Sequence, residues 1–346
     1  PNDYDDACIG VAAWDLSRFL VSLLLVSDYC TGILGGDYAS EELDDTDGLA
    51  AASQDDAVKA GEIFLECYRD TLKECIRDPG RRAQALEDFD RKHVLGQAFR
   101  KARRRAAGGE DFLSKSTLCK SVEITDAGPR FLRRPERFAR LEADLEQRVR
   151  HAFRPYVDDD IQDIVRRLGA GTGSVDLERY YLLVGPDAFS GPDDLPLYHL
   201  VEIKQQRPAS ALHYFGDISP VNRLDPAHLT LDCQRLMQRR PDLVLDEARW
   251  EDKHWLVRSR HHARVGIDPE DIGLARKRPD RRMAQYAAAC GEALALGHAR
   301  GDRRSTRFEQ AMAKRLKDDG APLLSSAQGY ADRVRLDWEH LRCMLE

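Results

Sequence analysis

Residues 164–205 read IVRRLGAGTGSVDLERYYLLVGPDAFSGPDDLPLYHLVEIKQ, and this stretch decides the fold. A glycine-rich turn with Gly169, Gly171, Gly173 and Ser174 precedes two apolar runs of strand length, 179–184 and 198–205. The second run closes on a lone lysine, Lys204, among apolar neighbours. Glycines let backbone amides approach phosphate oxygens, and a lysine on a nearby strand can neutralise them. A glycine-rich hairpin followed by a strand lysine is the chain order of a kinase small lobe. The alternative is a surface hairpin beside a lysine that snorkels to solvent.

Working outward, the pattern predicts helices, then one compact antiparallel sheet, then helices: an α+β chain. Helices are expected over 12–34, 49–77, 82–107 and 136–153, with a short hairpin at 122–132 between the last two. The β-rich part runs from 164 to 259. It contains a helix near 226–239 and a hairpin of strands 243–250 and 254–259. Helices over 280–299, 305–318 and 325–345 close the chain. The expected division is 1–155, a helical lobe; 156–260, a small nucleotide-binding lobe; and 261–346, helices that rejoin the first.

With 346 residues, 42% hydrophobic and 33% charged, the chain can bury a sizeable core and is not disordered. A net charge of −7 gives no general attraction to nucleic acid or anionic membrane. Eight cysteines without a C-x-x-C pair argue against a zinc ribbon and suit reduced thiols of a cytoplasmic protein. The apolar run 19–26 is too short to span a bilayer. The chain starts at Pro1 within an acidic cluster, so residues upstream are expected to be missing.

That cluster, Asn2-Asp3-Tyr4-Asp5-Asp6, could hold Mg²⁺, which takes one or two carboxylates plus substrate phosphates. Asp15 could pair with Arg18 on the helix that follows. A competing pattern is Pro186-Asp187 ahead of Glu202-Ile203-Lys204, a nuclease arrangement in which Asp187 and Glu202 hold a divalent metal and Lys204 positions water. The basic run 100–105 reads as a solvated helix end, and Gly297-His298-Ala299-Arg300-Gly301-Asp302 as a capped helix terminus. A third reading is a non-catalytic helical interaction protein, with the acidic first sixty residues and the basic helix as contact surfaces.

These segments, taken in order, resemble the bacterial domain-of-unknown-function family 2252. Asn2-Asp3-Tyr4-Asp5-Asp6-Ala7 is similar to its N-D-F-D-E-A element, and Ala13-Trp14-Asp15-Leu16-Ser17-Arg18-Phe19 to its E-W-D-L-K-R-L. Gly171-Thr172-Gly173-Ser174-Val175 resembles G-x-G-S-V, and Val201-Glu202-Ile203-Lys204-Gln205 resembles L-Q-V-K-E. Gln234-Arg235-Leu236-Met237-Gln238 resembles Q-R-L-M-Q, and His298-Ala299-Arg300 the family's A-H-A-R.

The resemblance implies a two-lobed fold related to protein and aminoglycoside kinases, circularly permuted, because the Asp-Tyr-Asp element precedes the glycine loop. It implies ATP under Gly171, Gly173 and Ser174, Lys204 on its phosphates, Mg²⁺ on Asp3 and Asp5, and a phosphate acceptor of unknown identity. The family's G-D-x-H-x-x-N segment lies upstream of its D-F-D element. The catalytic residues then fall upstream of Pro1, and this chain is expected to transfer phosphate poorly. The chain departs from the family at Asp176, where the family has glycine. It also offers Lys204 no glutamate on the helix near 226–239, only Asp232 or Gln234.

Overall fold

The computed structural model describes residues 4–40, 42–169 and 175–345. In chain order its elements are α1 (Ala12–Gly35), β1 (Ala50–Ala51), α2 (Gln54–Arg77), α3 (Gly96–Arg105), α4 (Phe112–Lys115), β2 (Val122–Thr125), β3 (Gly128–Phe131), β4 (Phe138–Ala139), α5 (Ala143–Phe153), β5 (Asp160–Arg167), β6 (Arg179–Gly185), β7 (His199–Gln206), α6 (Leu212–Phe215), α7 (Pro226–Met237), β8 (Leu245–Trp250), β9 (Lys253–Arg260), α8 (Pro269–Gly273), β10 (Leu274–Ala275), α9 (Pro279–Gly301) and α10 (Arg307–Leu345).

Helices α1, α2, α9 and α10 share one core. Leu16, Leu20, Phe64, Tyr68, Met283, Leu296, Leu324 and Ala327 are buried together there. Helix α2 starts sharply because Ser53 and Asp56 form a reciprocal capping box: the Asp56 N–H donates to Ser53 Oγ at 3.2 Å and the Ser53 N–H to Asp56 Oδ2 at 3.0 Å. Helix α1 is long and apolar enough to cross a bilayer by length and composition. Its face of Leu16, Leu20, Leu23 and Leu24 is instead buried in this core.

Helices α2 and α9 approach closely at Gly291. A Cβ there would sit 2.4 Å from the Phe64 carbonyl oxygen. Backbone cannot yield as a flexible side chain can, so Gly291→Ala is expected to cost about 1–3 kcal/mol. An unchanged urea midpoint in that variant would contradict this packing.

The main sheet is antiparallel. Among the described residues it has the strand order β4-β5-β6-β7-β9-β8. One face carries Tyr180, Leu182, Val201, Ile203, Trp255 and Val257 and packs on Val149 and Phe153 of α5. Part of the other face carries Val165, Tyr181, Leu183 and Leu200, covered by Phe112, Leu118, Phe131 and Phe138. The rest of that face, toward β9 and β8, meets α7 through Leu231, Leu245 and Leu256. The α+β expectation holds. Beside the main sheet, β2–β3 forms the short hairpin expected at 122–132, and β1–β10 adds a second, unexpected two-stranded pair among the described residues.

Three helix expectations are corrected. The 82–107 helix is regular only from Gly96, because Asp88 and Asp90 divert the chain. The Phe89 N–H donates to Asp88 Oδ1 at 2.9 Å, and the His93 N–H to the Asp90 carbonyl at 2.9 Å. The 136–153 helix starts at Ala143, because Phe138 and Ala139 pair with Arg167 and Arg166 as strand β4. The two helices expected over 305–318 and 325–345 are one, α10, which runs through Pro322. Leu316, Leu324 and Ala327 on either side of the proline are buried in one core, which holds both halves in line.

Candidate functional site

Strand side chains alternate faces, so Glu202, Lys204 and Gln206 of β7 point the same way. Cross-strand pairing sets Arg179 of β6 beside Lys204, and Arg258 of β9 beside Glu202. The result is a polar row on an otherwise apolar face. Glu202, Lys204 and Gln206 are 0%, 3% and 6% exposed, so each must find its partner inside the protein.

Lys204 finds Asp5. Its ammonium donates to Asp5 Oδ2 across 199 residues of sequence. Asp5 Oδ1 accepts from Gln206 Nε2 at 3.2 Å, and Gln206 Oε1 accepts from the Thr230 hydroxyl of α7 at 3.0 Å. The carboxylate is thus tied to β7 directly and to α7 through Gln206. Asp5 sits on a tight turn in which the Ala7 N–H donates to the Tyr4 carbonyl at 3.1 Å. Farther along, the Asn222 side chain binds both backbone groups of Ile9: it accepts from the N–H at 2.8 Å and donates to the carbonyl at 2.9 Å. Asn222→Ala leaves that pair unmatched and is expected to cost about 1–3 kcal/mol. Its signature is faster proteolysis near residues 4–11, and unchanged cleavage there would refute the clip.

Glu202 is surrounded by cations. It accepts from Arg258 Nε at 2.7 Å and Arg260 Nη1 at 2.9 Å, with Arg179 Nη1 at 3.4 Å. Burial works to raise its pKa, but Arg258, Arg260 and Arg179 together outweigh burial and bring it to about 2. Burial likewise opposes the charge on Arg258, yet Glu202, with Asp5 behind it, raises its pKa overall. Counting these side chains, four cations (Arg179, Lys204, Arg258, Arg260) face two carboxylates (Asp5, Glu202), which leaves the row net positive.

The expected site residues Asp3, Gly171, Gly173 and Ser174 lie outside the described residues. Asp5 and Lys204 are brought into direct contact. Asp232, considered as a helix partner for Lys204, instead lies 3.6 Å from His228, and Gln234 donates to Asp242 at 2.9 Å. Asp176, where the family has glycine, adopts φ 63°, a left-handed conformation that glycine takes at least cost. It is exposed.

Asp187 is exposed beyond the end of β6, where Gln162 Nε2 donates to it at 3.4 Å. The residue of β6 that faces Glu202 is Tyr181, six positions earlier. Asp15 pairs with His298 rather than with Arg18: His298 Nε2 lies 3.1 Å from Asp15 Oδ2, and His298 Nδ1 lies 2.7 Å from the Tyr68 hydroxyl. Sequence reasoning missed Gln206, Thr230 and the arginine cage. The alternation of Glu202, Lys204 and Gln206 was the available signal for a buried polar row.

Fold and site define an α+β protein whose central strand presents a buried lysine to a carboxylate from the far end of the chain. The family model for an uncharacterized protein conserved in bacteria, DUF2252, matches residues 48–343. This chain belongs to that family. No curated protein and no solved structure matches it.

Proposed function

We propose that this protein binds Mg-ATP on the β6–β7 side of the sheet and acts as a kinase-like phosphotransferase toward an acceptor still to be identified. One observation carries the reading: Lys204 on the strand after the glycine-rich hairpin is paired with Asp5 of the acidic element. In kinases the corresponding strand lysine contacts the nucleotide phosphates, and a nearby aspartate holds the metal. The order hairpin, lysine strand, helix α7 and two further strands follows the small-lobe plan. The acidic element reaches the site from the opposite end of the sequence, as a circular permutation of that plan requires. The net positive row beneath Lys204 adds long-range attraction for a polyphosphate.

For the metal this reading implies, the described chain offers the carboxylate of Asp5, which already accepts from Lys204 and Gln206. Mg²⁺ prefers oxygen ligands and completes its shell with water and phosphate, so one or two carboxylates suffice. Asp5, with Asp3 beside it in sequence, would hold it. When bound, the cation neutralises charge on the transferring phosphoryl group. The chain's own residues do the rest: Lys204 positions the phosphates, and Gln206 and Thr230 fix the rotamer of Asp5. The glycines Gly171 and Gly173, with Ser174, would offer backbone amides to phosphate oxygens.

The nuclease alternative is less well supported. Glu202 would have to exchange three guanidinium partners for a metal, and Asp187 stands past the end of the neighbouring strand. A thermal shift with Mg-ATP tests the proposal. A ligand that binds only the folded state must raise the midpoint, so saturating Mg-ATP is expected to do so. No shift in the wild-type protein would sink it.

A further inference from the structure

We infer that Arg137, Arg167 and Arg260 form a second anion site, which takes the phosphate group of a small ligand and is separate from the pair of Lys204 and Asp5. The inference does not depend on the Mg-ATP reading.

Contacts bring the three guanidinium groups to one place. Arg137 lies just before β4, and its guanidinium carbon sits 5.3 Å from the centre of the Phe138 ring. Arg260 reaches from β9 over Tyr181 of β6, 5.1 Å from that ring centre. The Phe138 and Tyr181 rings are 6.1 Å apart, and both are buried. Arg167 ends β5 opposite Phe138, and its Nη1 lies 3.4 Å from the Arg137 carbonyl oxygen. The three cations therefore stand around one patch of buried aromatic surface.

The cluster is short of acid. Arg260 shares Glu202 with Arg179 and Arg258. Arg167 donates to carbonyl oxygens, those of Arg137 and Leu168. Arg137 Nε is buried without a hydrogen-bond partner. Neither Arg137 nor Arg167 makes an ion pair with a described residue. The acids near them in sequence are turned to other uses. Glu136 and Asp176 are exposed, and Glu178 pairs with Arg166 at 3.2 Å and with Lys253.

Aromatic faces attract a cation, but they leave the Nε donor unmatched. A half-buried guanidinium among like charges, with no carboxylate beside it, works against folding. Burial, followed by the charges of Arg167, Arg134 and Arg260, pushes the Arg137 pKa below its ordinary value. Proteins keep such destabilising arrangements where function requires them. A ligand that brings the missing negative charge accounts for this one. Guanidinium forks match phosphate and carboxylate alike, and the excess of positive charge favours the doubly charged phosphate. There is room for it: Arg167 lines an open cavity of about 350 Å³ together with Arg166, Glu178 and Arg179. That is the size of a small-ligand site. The cluster adjoins the Lys204 row, since Arg260 and Arg179 meet at Glu202 Oε1 at 2.9 and 3.4 Å, but it does not use the lysine.

Calorimetric titration of the full chain in EDTA at fixed ionic strength tests the site, with inorganic phosphate and glycerol 3-phosphate as probes. EDTA removes any divalent cation, so binding through a metal on Asp5 does not contribute. Wild type is expected to bind at least one probe saturably, and the tighter of the two tells a free anion from a phosphate ester. Arg137→Gln is expected to bind that probe at least tenfold more weakly, and Lys204→Met within threefold of wild type. Without ligand, the urea midpoint of Arg137→Gln should equal or exceed that of wild type, because the variant sheds an unpaired charge. A structural arginine would lower it. No saturable heat with either probe, equal affinity in Arg137→Gln, or a lower urea midpoint in that variant overturns the site. Loss of binding in Lys204→Met overturns its separateness and moves the anion to the Lys204 row.

Discussion

Glu202→Gln is expected to destabilise the protein by about 3–5 kcal/mol, the cost of removing one member of a buried ion cluster. The substitution preserves shape and some hydrogen bonding. It removes the only charge among these side chains that directly contacts Arg179, Arg258 and Arg260 together. Three guanidinium groups would then face one another on a sheet face where Glu202 itself is 0% exposed. Urea denaturation measures the loss, and a change below about 1 kcal/mol would mean that solvent reaches the cluster.

The same residue sets a pH dependence. Its pKa falls from the usual 4.5 to about 2 in the folded protein. A depressed carboxylate contributes stability that is fully present above its unfolded pKa and is lost as pH falls through the folded one. Wild-type stability should therefore decline between about pH 4.5 and pH 2 from this group. Glu202→Gln should lack that part of the slope. Parallel acid titrations of the two proteins would contradict the assignment.

Lys204→Met is expected to weaken Mg-ATP binding by about 30–100-fold, the equivalent of roughly 2–3 kcal/mol for a charge-assisted contact to phosphate. Methionine keeps most of the buried stem and removes only the ammonium. Asp5 then loses its cation but keeps Gln206, so the acidic turn stays near β7. Comparing the unfolding of both proteins without nucleotide separates lost binding from lost structure.

The central sheet was legible because its strands are apolar runs bounded by turn residues, and the 243–250 and 254–259 hairpin closes within a residue or two of the expected place. Its turn, Glu251 and Asp252, takes φ values of 50° and 54°. The errors share a cause: turn, strand and tertiary contacts override periodicity. Leu86, Phe89, Val94 and Phe99 have helical spacing, yet the aspartates around Phe89 hold a bent segment in which Phe89 stacks on His93 and meets Phe99 edge-on. Pro322 reads as a helix end, but tertiary packing on both sides carries α10 through it.

Of the site, the lysine and the acidic turn were legible as separate motifs. Their partners were not, because Gln206, Thr230, His298 and Tyr68 are ordinary residues until the fold places them. The pairing of Asp15 with His298 joins residues 283 positions apart. No local pattern encodes such a contact.

If Lys204 and Asp5 form one half of a nucleotide site, calorimetric titration of Mg-ATP will give saturable one-to-one binding by wild-type protein and a loss of about 30-fold or more in Lys204→Met. No heat of binding in wild type, or equal affinity in both, would contradict it.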